Sequence, residues 1–351
     1  MDIKFIKSEN LKQKPAVEQS LPFGSVFTDY IFTMHYNEEL GWNNGTIEPF
    51  SQFTLSPVTA VIHNAQSVYE GMKAFASEDG QISLYAPVEN LMRLNRSADR
   101  LCMPRIDIDL TMEGIKELLN VEKEWVPKTE GKTLYIRVTV IGTDENMGDS
   151  VSKNYLLYVV MSPVDAYYYK SDEPLKVIIE ENYSHAFSAL GESKGGASYG
   201  EMLKAKDTAI KKGYNEVLWL DGHRKNIDSV GQNNIFFVEK EEVFTPALTG
   251  SMVKSNMRSN VVELLTARNY SITEKTVSLK EIIKKLKKGK ITEIFVAGAG
   301  VVKPVGVIGY GGKNYVVGDG SLGAMTKMIY DYIIGVQFGR IPDTFHWMVK
   351  L

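Results

Sequence analysis

The chain has one cysteine, Cys102, so it can form neither an intramolecular disulfide nor a thiolate metal cluster. Its five histidines lack metal-binding spacings such as His-Glu-x-x-His, and the sequence gives no support for a metal site. The net charge of −3 argues against nucleic acid and anionic membranes as partners. The N-terminal stretch MDIKFIKSENLKQKP has no apolar run long enough for a signal peptide or a membrane-spanning helix, so we expect a cytoplasmic protein with small-molecule partners.

What is present is the composition of an ordinary globular protein. The 351 residues are 44% hydrophobic and 24% charged, which is enough chain for two domains with a real core. We predict an N-terminal arm (1–20), a small N-terminal domain (21–165), a linker (166–174) and a large C-terminal domain (175–351). The fold class is α/β, with an α+β N-terminal domain and an α/β C-terminal domain in which strands and helices alternate.

Hydrophobic patterning predicts the main elements. Strands of the first domain are VFTDYIFTMHY, SVYEGMKAF, ISLYA, KTLYIRVTVIG and NYLLYVVMSPV, and strands of the second include EVLWL, NIFFV and EIFVAG. One helix begins at Pro87, with a predicted buried stripe of Val88, Leu91, Met92, Ala98, Leu101 and Cys102, and a second runs from a Thr111 N-cap to about Trp125. Later helices are predicted at 200–212, 255–268, 279–288 and 322–336.

Two features of the sequence are candidates for chemistry. The stretch HAFSALGESKGGASYG (residues 185–200) places Lys194 among small residues, with Tyr199 five residues further on. A desolvated lysine forms Schiff bases with carbonyl compounds, but the local composition by itself favours a surface lysine in a mobile Gly/Ser loop. Arg93, Arg96 and Arg100 share one side of a helix, a spacing that is typical of a solvated face.

Ten stretches together resemble the branched-chain amino acid aminotransferases, which are class IV (fold type IV) enzymes that use pyridoxal 5'-phosphate. The resemblance runs from Phe23 to the C-terminus, and its order and spacing are specific. It implies the fold of D-amino acid aminotransferase-like enzymes, a homodimer, and amino acids and 2-oxo acids as substrates. The stretches are FGSVFTDYIF, YEGMKAF, NLMRLNRSADRLCMP, LYIRVTVIG, the Lys194 region, YNEVLWLDG, GQNNIFF, TPALTG, ITEIFVAG and FGRIPDTFHWM.

The resemblance implies a role for particular residues. Lys194 matches the lysine that binds the cofactor covalently, and Tyr199 matches a tyrosine that hydrogen-bonds the cofactor's phenolic oxygen. Arg93 matches the arginine that holds the cofactor phosphate, whereas Arg96 and Arg100 keep the solvated interpretation. On the substrate side, the implied residues are Phe23, Tyr69, Tyr135, Arg137 and Gly300, with Arg137 receiving the distal carboxylate of glutamate or 2-oxoglutarate.

The sequence departs from the family at the cofactor. Ser229 stands where the family has a glutamate that pairs with the pyridine nitrogen. The adjacent Asp228 could replace that glutamate if the strand shifts by one residue, although such a slip sends a side chain to the opposite face. Ala299 replaces a phosphate-binding threonine. The run Val-Lys-Ser at 253–255 replaces Leu-Pro-Gly before a helix at whose start Asn256 and Met257 would still present backbone N–H groups to the phosphate.

Three hypotheses about function follow from these matches and departures. The first is transfer of an amino group from a branched-chain or related apolar L-amino acid to 2-oxoglutarate through Lys194. The second is a pyridoxal phosphate-dependent elimination or replacement in a specialised biosynthetic pathway, since Ser229 would leave the ring nitrogen unprotonated and weaken the electron sink. The third is a homologue that has lost normal cofactor chemistry.

Overall fold

The structure, a computed structural model, describes residues 3–16, 19–165, 173–183, 185 and 191–351. It separates into two compact units. The first unit comprises Met1–Lys170, Ser193–Ala197 and Val336–Leu351, and the second comprises Ser171–Glu192 and Ser198–Gly335. The predicted linker lies outside the described residues except for positions 173 and 174.

The first unit is built on a sheet of eight strands with helices packed against it. Its elements up to residue 165 are β1 (Lys4–Phe5), β2 (Tyr30–Asn37), β3 (Gly41–Pro49), α1 (Ala60–Asn64), β4 (Ser67–Ala76), β5 (Ile82–Tyr85), α2 (Pro87–Arg100), α3 (Ile108–Glu122), a 3-10 helix (Lys123–Trp125), β6 (Lys132–Gly142) and β7 (Tyr155–Asp165).

The long antiparallel pairing of β4 with β6 fixes the site residues of the first unit. β6 (KTLYIRVTVIG) is rich in β-branched residues, which suits a pleated, largely buried strand. In its register with β4, Gly71 lies opposite Arg137 and Lys73 lies opposite Tyr135. Directly opposed residues point to the same face of a sheet, so this pairing brings Tyr135 and Arg137 onto one face with their β4 neighbours.

The second unit contains a mixed sheet of nine strands. Its elements are β8 (Leu175–Ile179), α4 (Gly196–Lys211), β9 (Glu216–Leu220), β10 (Ile227–Val230), β11 (Asn233–Glu239), β12 (Glu242–Pro246), α5 (Asn256–Ala267), β13 (Ser271–Lys275), α6 (Leu279–Lys287), β14 (Glu293–Gly298), β15 (Val301–Tyr310), β16 (Lys313–Val316) and α7 (Ala324–Gln337), with the first residues of α4 and the last of α7 assigned to the first unit.

Strand pairing in the second unit closes on itself. The sheet order is β10-β9-β8-β15-β14-β11-β12-β13, and β10 also pairs with β11, so six strands form a closed ring. β8 pairs in parallel with both β9 and β15, while the other pairs of this ring are antiparallel. A closed ring leaves those strands without exposed edges and fills its interior with side chains.

The C-terminal segment differs from the predicted domain range of 175–351. The strand β17 (Met348–Lys350) pairs antiparallel with β5, and the Ala86 amide donates to the Trp347 carbonyl. The Phe338 ring packs edge-on against Phe75. These contacts place Val336–Leu351 in the first unit, together with the short segment Ser193–Ala197.

Two details of the helices correct the sequence predictions. The cap of α3 is Asp107, whose carboxylate accepts from the Leu110 amide at 2.9 Å, and Thr111 lies inside the helix. In α2 the buried face includes the polar residues Asn90, Arg93 and Ser97, whereas Val88 and Met92 of the predicted stripe are exposed. The buried face of the helix therefore contains a row of polar side chains, which the spacing of the apolar residues did not indicate.

Candidate functional site

The backbone of Lys194 is held within the first unit by two hydrogen bonds, one at its amide and one at its carbonyl. Its amide donates to the Ser97 hydroxyl at 3.0 Å, and its carbonyl accepts from the Tyr69 amide at 3.0 Å. The next residue, Gly195, forms an isolated antiparallel bridge with Val68. The lysine is thus held against β4 and α2 by backbone hydrogen bonds, and the interpretation of a solvated loop lysine does not describe it.

The side chain of Lys194 meets a buried ion-pair network. Glu70, on β4, is completely buried and accepts from Arg93 Nε at 2.5 Å and from Arg93 Nη2 at 2.7 Å. The Lys194 ammonium lies 3.3 Å from the second Glu70 oxygen, and 20% of the Lys194 side chain is exposed. Asn90 accepts from Arg93 Nη2 at 2.8 Å. The bidentate contact fixes the plane of the guanidinium.

Burial and the neighbouring charges set the protonation of this network. Burial lowers the pKa of Lys194 to about 8; Glu70 opposes that shift and Arg93 acts with it. Burial on its own would raise the pKa of Glu70, but Arg93 and Lys194 outweigh it and the net pKa is lowered. A buried carboxylate therefore stays ionised beside a lysine with a substantial neutral fraction at physiological pH, and perturbed groups of this kind concentrate at functional sites.

The aromatic and cationic side chains expected on the substrate side are neighbours within the first unit. Arg137 Nη2 donates to the Tyr135 hydroxyl at 2.9 Å, and its guanidinium lies 4.5 Å from the centre of the Tyr69 ring. The Phe23 ring packs edge-on against Tyr135 at 4.8 Å, although Phe23 is 44% exposed. Gly71 leaves the space that the Tyr135 hydroxyl occupies, since any Cβ there would overlap it. The structure thus brings Phe23, Tyr69, Tyr135 and Arg137 together.

Tyr199 lies on α4 in the second unit and is half-buried. It packs against a small apolar cluster that includes Met202, Val217 and Trp219. This contact fixes the ring through the helix and the strand β9 on which the helix rests.

Asn256 and Met257, whose backbone N–H groups are expected to face the cofactor phosphate, lie at the start of α5. The Ser255 hydroxyl caps that helix by accepting from the Arg258 amide at 3.0 Å. The turn before it is held by Asn234, whose carboxamide accepts from the Ser255 amide and donates to the Val253 carbonyl. Asn256 and Met257 are therefore the first two helical residues, at the end of the helix where the dipole and the N–H groups favour an anion.

Ala299 and Gly300 form a two-residue hairpin turn. Gly298 pairs with Val301 on either side of it, and both turn residues have positive φ, at 50° and 76°. A turn of this kind prefers glycine or asparagine, so the backbone at Ala299 is strained, as it often is at functional positions.

Ser229 is buried on β10, and its hydroxyl has no hydrogen-bond partner among the described residues. Next to it, Asp228 interrupts the register of β10 with β9: Ile227 pairs with Leu220 and Ser229 with Trp219, so Asp228 has no partner on β9. One oxygen of its carboxylate accepts from the Ser251 hydroxyl at 2.9 Å, and the other is buried without a partner in the described parts of the chain. Burial raises the pKa of Asp228 to about 6.

Sequence reasoning missed two buried charges of β4, Glu70 and Lys73. Burial lowers the pKa of Lys73 to about 8, as for Lys194, but no acidic neighbour contributes. Both residues lie within YEGMKAF, where two charged residues interrupt an otherwise apolar strand. That interruption was the available signal, because a charge in a strand that is buried on both faces requires a partner or a function.

No helix in the described part of the chain is long and apolar enough to cross a membrane.

Over residues 67–308 the sequence matches the family model of class IV amino-transferases. It is 39% identical over 349 residues to branched-chain-amino-acid transaminase 1 of Bacillus subtilis, with 98% of each chain covered. A probable branched-chain-amino-acid aminotransferase of Staphylococcus aureus is 39% identical, with 99% of this chain and 98% of that protein covered.

Solved structures give the same result for the fold. The branched-chain amino acid aminotransferase of Escherichia coli superposes with a TM-score of 0.73 at 23% identity, and the comparison covers 91% of this chain and 98% of the other. At this identity the likeness concerns the fold, which is the fold type IV architecture expected from the sequence. The family model and the near-full-length relatives together establish that the chain belongs to the class IV aminotransferases, which are transaminases that use pyridoxal 5'-phosphate.

Proposed function

We propose that this chain moves the amino group of a branched-chain or related apolar L-amino acid to 2-oxoglutarate, with pyridoxal 5'-phosphate bound covalently through Lys194. The observation that carries the proposal is the partly exposed side chain of Lys194, with its lowered pKa, in contact with the buried Glu70–Arg93 pair. The substrate class rests on the names of the relatives from Bacillus subtilis and Staphylococcus aureus, which are branched-chain-amino-acid aminotransferases.

The residues present fit this cofactor. Lys194 supplies an amine that is partly neutral at physiological pH, as attack on an aldehyde requires. The capped start of α5 supplies an anion site, with backbone N–H groups of Asn256 and Met257. Buried polar atoms of Ser229 and Asp228 lack partners in the described residues, and such atoms are rare in folded proteins unless a ligand satisfies them.

When bound, the cofactor supplies an electron sink that stabilises negative charge at the α-carbon of an amino acid. Lys194 would remove and return the proton at that carbon, since its pKa of about 8 lies close to the operating pH of a general base. Glu70 would keep Lys194 in place and balance its charge whenever it is protonated. Arg93, oriented by Glu70 and Asn90, would bind the cofactor phosphate through its planar guanidinium.

The other implied residues receive their roles as part of the same proposal. The Tyr199 hydroxyl would donate to the phenolic oxygen of the cofactor, and Ala299 would border the phosphate through its backbone. Arg137, already oriented by the Tyr135 hydroxyl, would bind the distal carboxylate of glutamate or 2-oxoglutarate. An apolar substrate side chain would contact the rings of Phe23 and Tyr69, and Gly300, which has no side chain, would leave room for the substrate.

We further propose that the protein acts as a cytoplasmic homodimer. Support for association comes from the first unit, where Phe50, Phe53 and Leu55 are all more than a third exposed within six residues. Clustered exposed apolar side chains of this kind mark protein interaction surfaces. Light scattering coupled to gel filtration would give twice the chain mass of 39.3 kDa if the proposal is right and 39.3 kDa if it is wrong.

A second candidate function, β-elimination or replacement on the same cofactor, is favoured by Ser229. A hydroxyl cannot maintain a positive charge on the pyridine nitrogen as a carboxylate does, and a weaker electron sink favours expulsion of a leaving group. This candidate predicts that Ser229→Glu raises transamination and lowers elimination.

The deciding experiment is single-turnover transamination. The cofactor-loaded protein is mixed with L-leucine, L-valine or L-glutamate, and the bound cofactor is then released and identified. Conversion to pyridoxamine phosphate with all three supports the proposal, and Lys194→Ala should abolish it. An unchanged aldehyde form, with pyruvate released from β-chloroalanine, would support elimination instead. Failure of the protein to take up cofactor would leave the third hypothesis, a homologue without this chemistry.

A further inference from the structure

The strongest unexplained feature of the second unit is a cluster of buried polar atoms around β9 and β10. Asp228 Oδ2, Ser229 Oγ and Trp219 Nε1 are all buried and lack hydrogen-bond partners among the described residues. Ser229 and Trp219 are directly opposed across the two strands, so their side chains leave the same face. Each buried polar atom that lacks a hydrogen bond lowers the stability of the fold, so three such atoms at neighbouring positions indicate that a polar group of a ligand binds here.

A chain of contacts ties Asp228 to the same cluster. Ser251 donates its hydroxyl to Asp228 Oδ1 at 2.9 Å, and the Ser251 carbonyl lies 3.2 Å from His185 Nδ1. The His185 ring in turn lies 5.6 Å from the Trp219 ring. Gly191 packs so closely on the Ser251 carbonyl that no side chain fits between them. One carboxylate oxygen of Asp228 is therefore fixed by its neighbours, and the other is buried without a hydrogen-bond partner in the described parts of the chain.

The interrupted pairing of β10 with β9 explains how the Asp228 side chain can act on the same ligand as Ser229. In an uninterrupted strand the two side chains would point to opposite faces of the sheet. Between Ile227 and Ser229, however, β10 carries one residue more than β9, which is the signature of a β-bulge. A bulge re-aims the side chain of the extra residue, and here that residue is Asp228.

We propose that Asp228, through Oδ2, accepts a hydrogen bond from the protonated pyridine nitrogen of bound pyridoxal phosphate and so maintains the charge on the ring that Ser229 cannot. The protonated ring nitrogen is a cationic donor of the cofactor, and a buried carboxylate oxygen that has no partner among the described residues is its natural complement. This inference rests on the proposed function, since it requires that the cofactor bind. The hydrogen bond from the ring nitrogen to Asp228 would make the electron sink of this enzyme comparable to that of an enzyme with a carboxylate at position 229.

The protonation of the ring can be measured without turnover. The protein is loaded with pyridoxal phosphate carrying ¹⁵N in the ring, and the nitrogen chemical shift separates the protonated from the unprotonated form. Wild type and Ser229→Ala should both show a protonated nitrogen, whereas Asp228→Asn should show an unprotonated one. An unprotonated nitrogen in wild type, or a protonated one in Asp228→Asn, would overturn the inference, as would loss of the proton in Ser229→Ala.

Binding of an analogue in which carbon replaces the ring nitrogen gives an independent readout. Wild type and Ser229→Ala should bind pyridoxal phosphate about 10-fold or more tightly than the analogue, since hydrogen bonds to charged groups are the strong ones. In Asp228→Asn this preference should shrink, because only a neutral hydrogen bond to the ring nitrogen can remain, and the difference isolates the contact between this residue and this atom. An equal preference in wild type and Asp228→Asn would contradict the inference.

Wild-type protein alone suffices if Asp228→Asn does not fold. The carboxyl ¹³C resonance of Asp228 should titrate in the cofactor-free protein and stop titrating between pH 5 and 8 once the cofactor is added, because the cationic ring holds the carboxylate ionised. Persistence of that titration would refute the inference. Cofactor that binds with a protonated ring but undergoes no transamination would refute only the proposed function, and absence of cofactor uptake would refute both.

Discussion

Glu70 and Glu122 offer a matched test of the buried charges in the first unit. Both are glutamates that are almost completely inaccessible, but their surroundings shift their pKa values in opposite directions. Glu70 is paired with Arg93 and Lys194, and its pKa is lowered. Burial raises the pKa of Glu122 to about 7; it accepts from the Tyr30 amide at 2.5 Å and lies near Asp29. Replacement by glutamine therefore removes a stabilising charge at Glu70 and a destabilising charge at Glu122.

The expected changes in the free energy of unfolding differ in sign between the two variants. Glu70→Gln leaves two buried cations without their counterion, and breaking a buried pair in this way costs about 3–5 kcal/mol. Above pH 7 the ionised Glu122 carboxylate destabilises the fold by up to about 3 kcal/mol, from a pKa shift of 4.5 to about 7. Glutamine keeps an oxygen to accept from the Tyr30 amide, so Glu122→Gln should be neutral or stabilising at pH 8.

The pH dependence follows from the same shifts. Stability from Glu70 is present above its unfolded pKa of 4.5 and is lost as pH falls through the lower folded value. For Glu122, whose folded pKa is raised, the favourable contribution is present below 4.5 and is lost as pH rises towards 7. Urea unfolding followed by tryptophan fluorescence reports on this unit, since Trp42, Trp125 and Trp347 lie in it. Equal losses of stability in the two variants at pH 8 would refute the reasoning.

Two further predictions follow. Because burial holds the Lys194 pKa near 8, its rate of adduct formation with pyridoxal phosphate should rise roughly tenfold from pH 7 to pH 10 and level off, as stopped-flow absorbance would measure. A rate still rising steeply at pH 10 would mean an ordinary lysine pKa. Gly191→Ala should lower the midpoint of thermal unfolding through a loss of about 2 kcal/mol, because the new Cβ would overlap the Ser251 carbonyl. Gly222→Ala, which enters open space, should leave the midpoint unchanged, and equal shifts would contradict this view of the packing.

Much of the fold was predictable because strands such as β4, β6 and β7 are rich in β-branched and aromatic residues. The strand β3 was missed, since its sequence GWNNGTIEP combines residues that disfavour strands. It forms because β2 offers a partner over most of its length, a tertiary effect that local composition does not contain. The C-terminal strand β17 was likewise invisible, because its partner β5 lies more than 260 residues earlier in the chain.

The residues of the candidate site were likewise predictable from the sequence only in part. Lys194 and Arg93 were found through the order and spacing of family motifs, whereas their own local patterns favoured solvent-exposed interpretations. Glu70 was missed because charge in a strand is usually solvated, and its burial depends on the helix α2 that brings Arg93 over it. The bulge at Asp228 depends on the pairing of two strands, so the sequence could suggest that carboxylate only as a neighbour of Ser229.

The central claim is that Lys194 is the amine that binds the cofactor. Lys73 is the matched control, because burial lowers its pKa to about 8 as well, but it is only 5% exposed and no acidic neighbour contributes to its pKa. The most direct measurement is borohydride reduction of the protein loaded with pyridoxal phosphate, followed by peptide mass spectrometry. We expect one phosphopyridoxyl group per chain, on Lys194, and its loss when L-leucine is added before reduction. Modification of Lys73 or of several surface lysines, unaffected by L-leucine, would contradict the account.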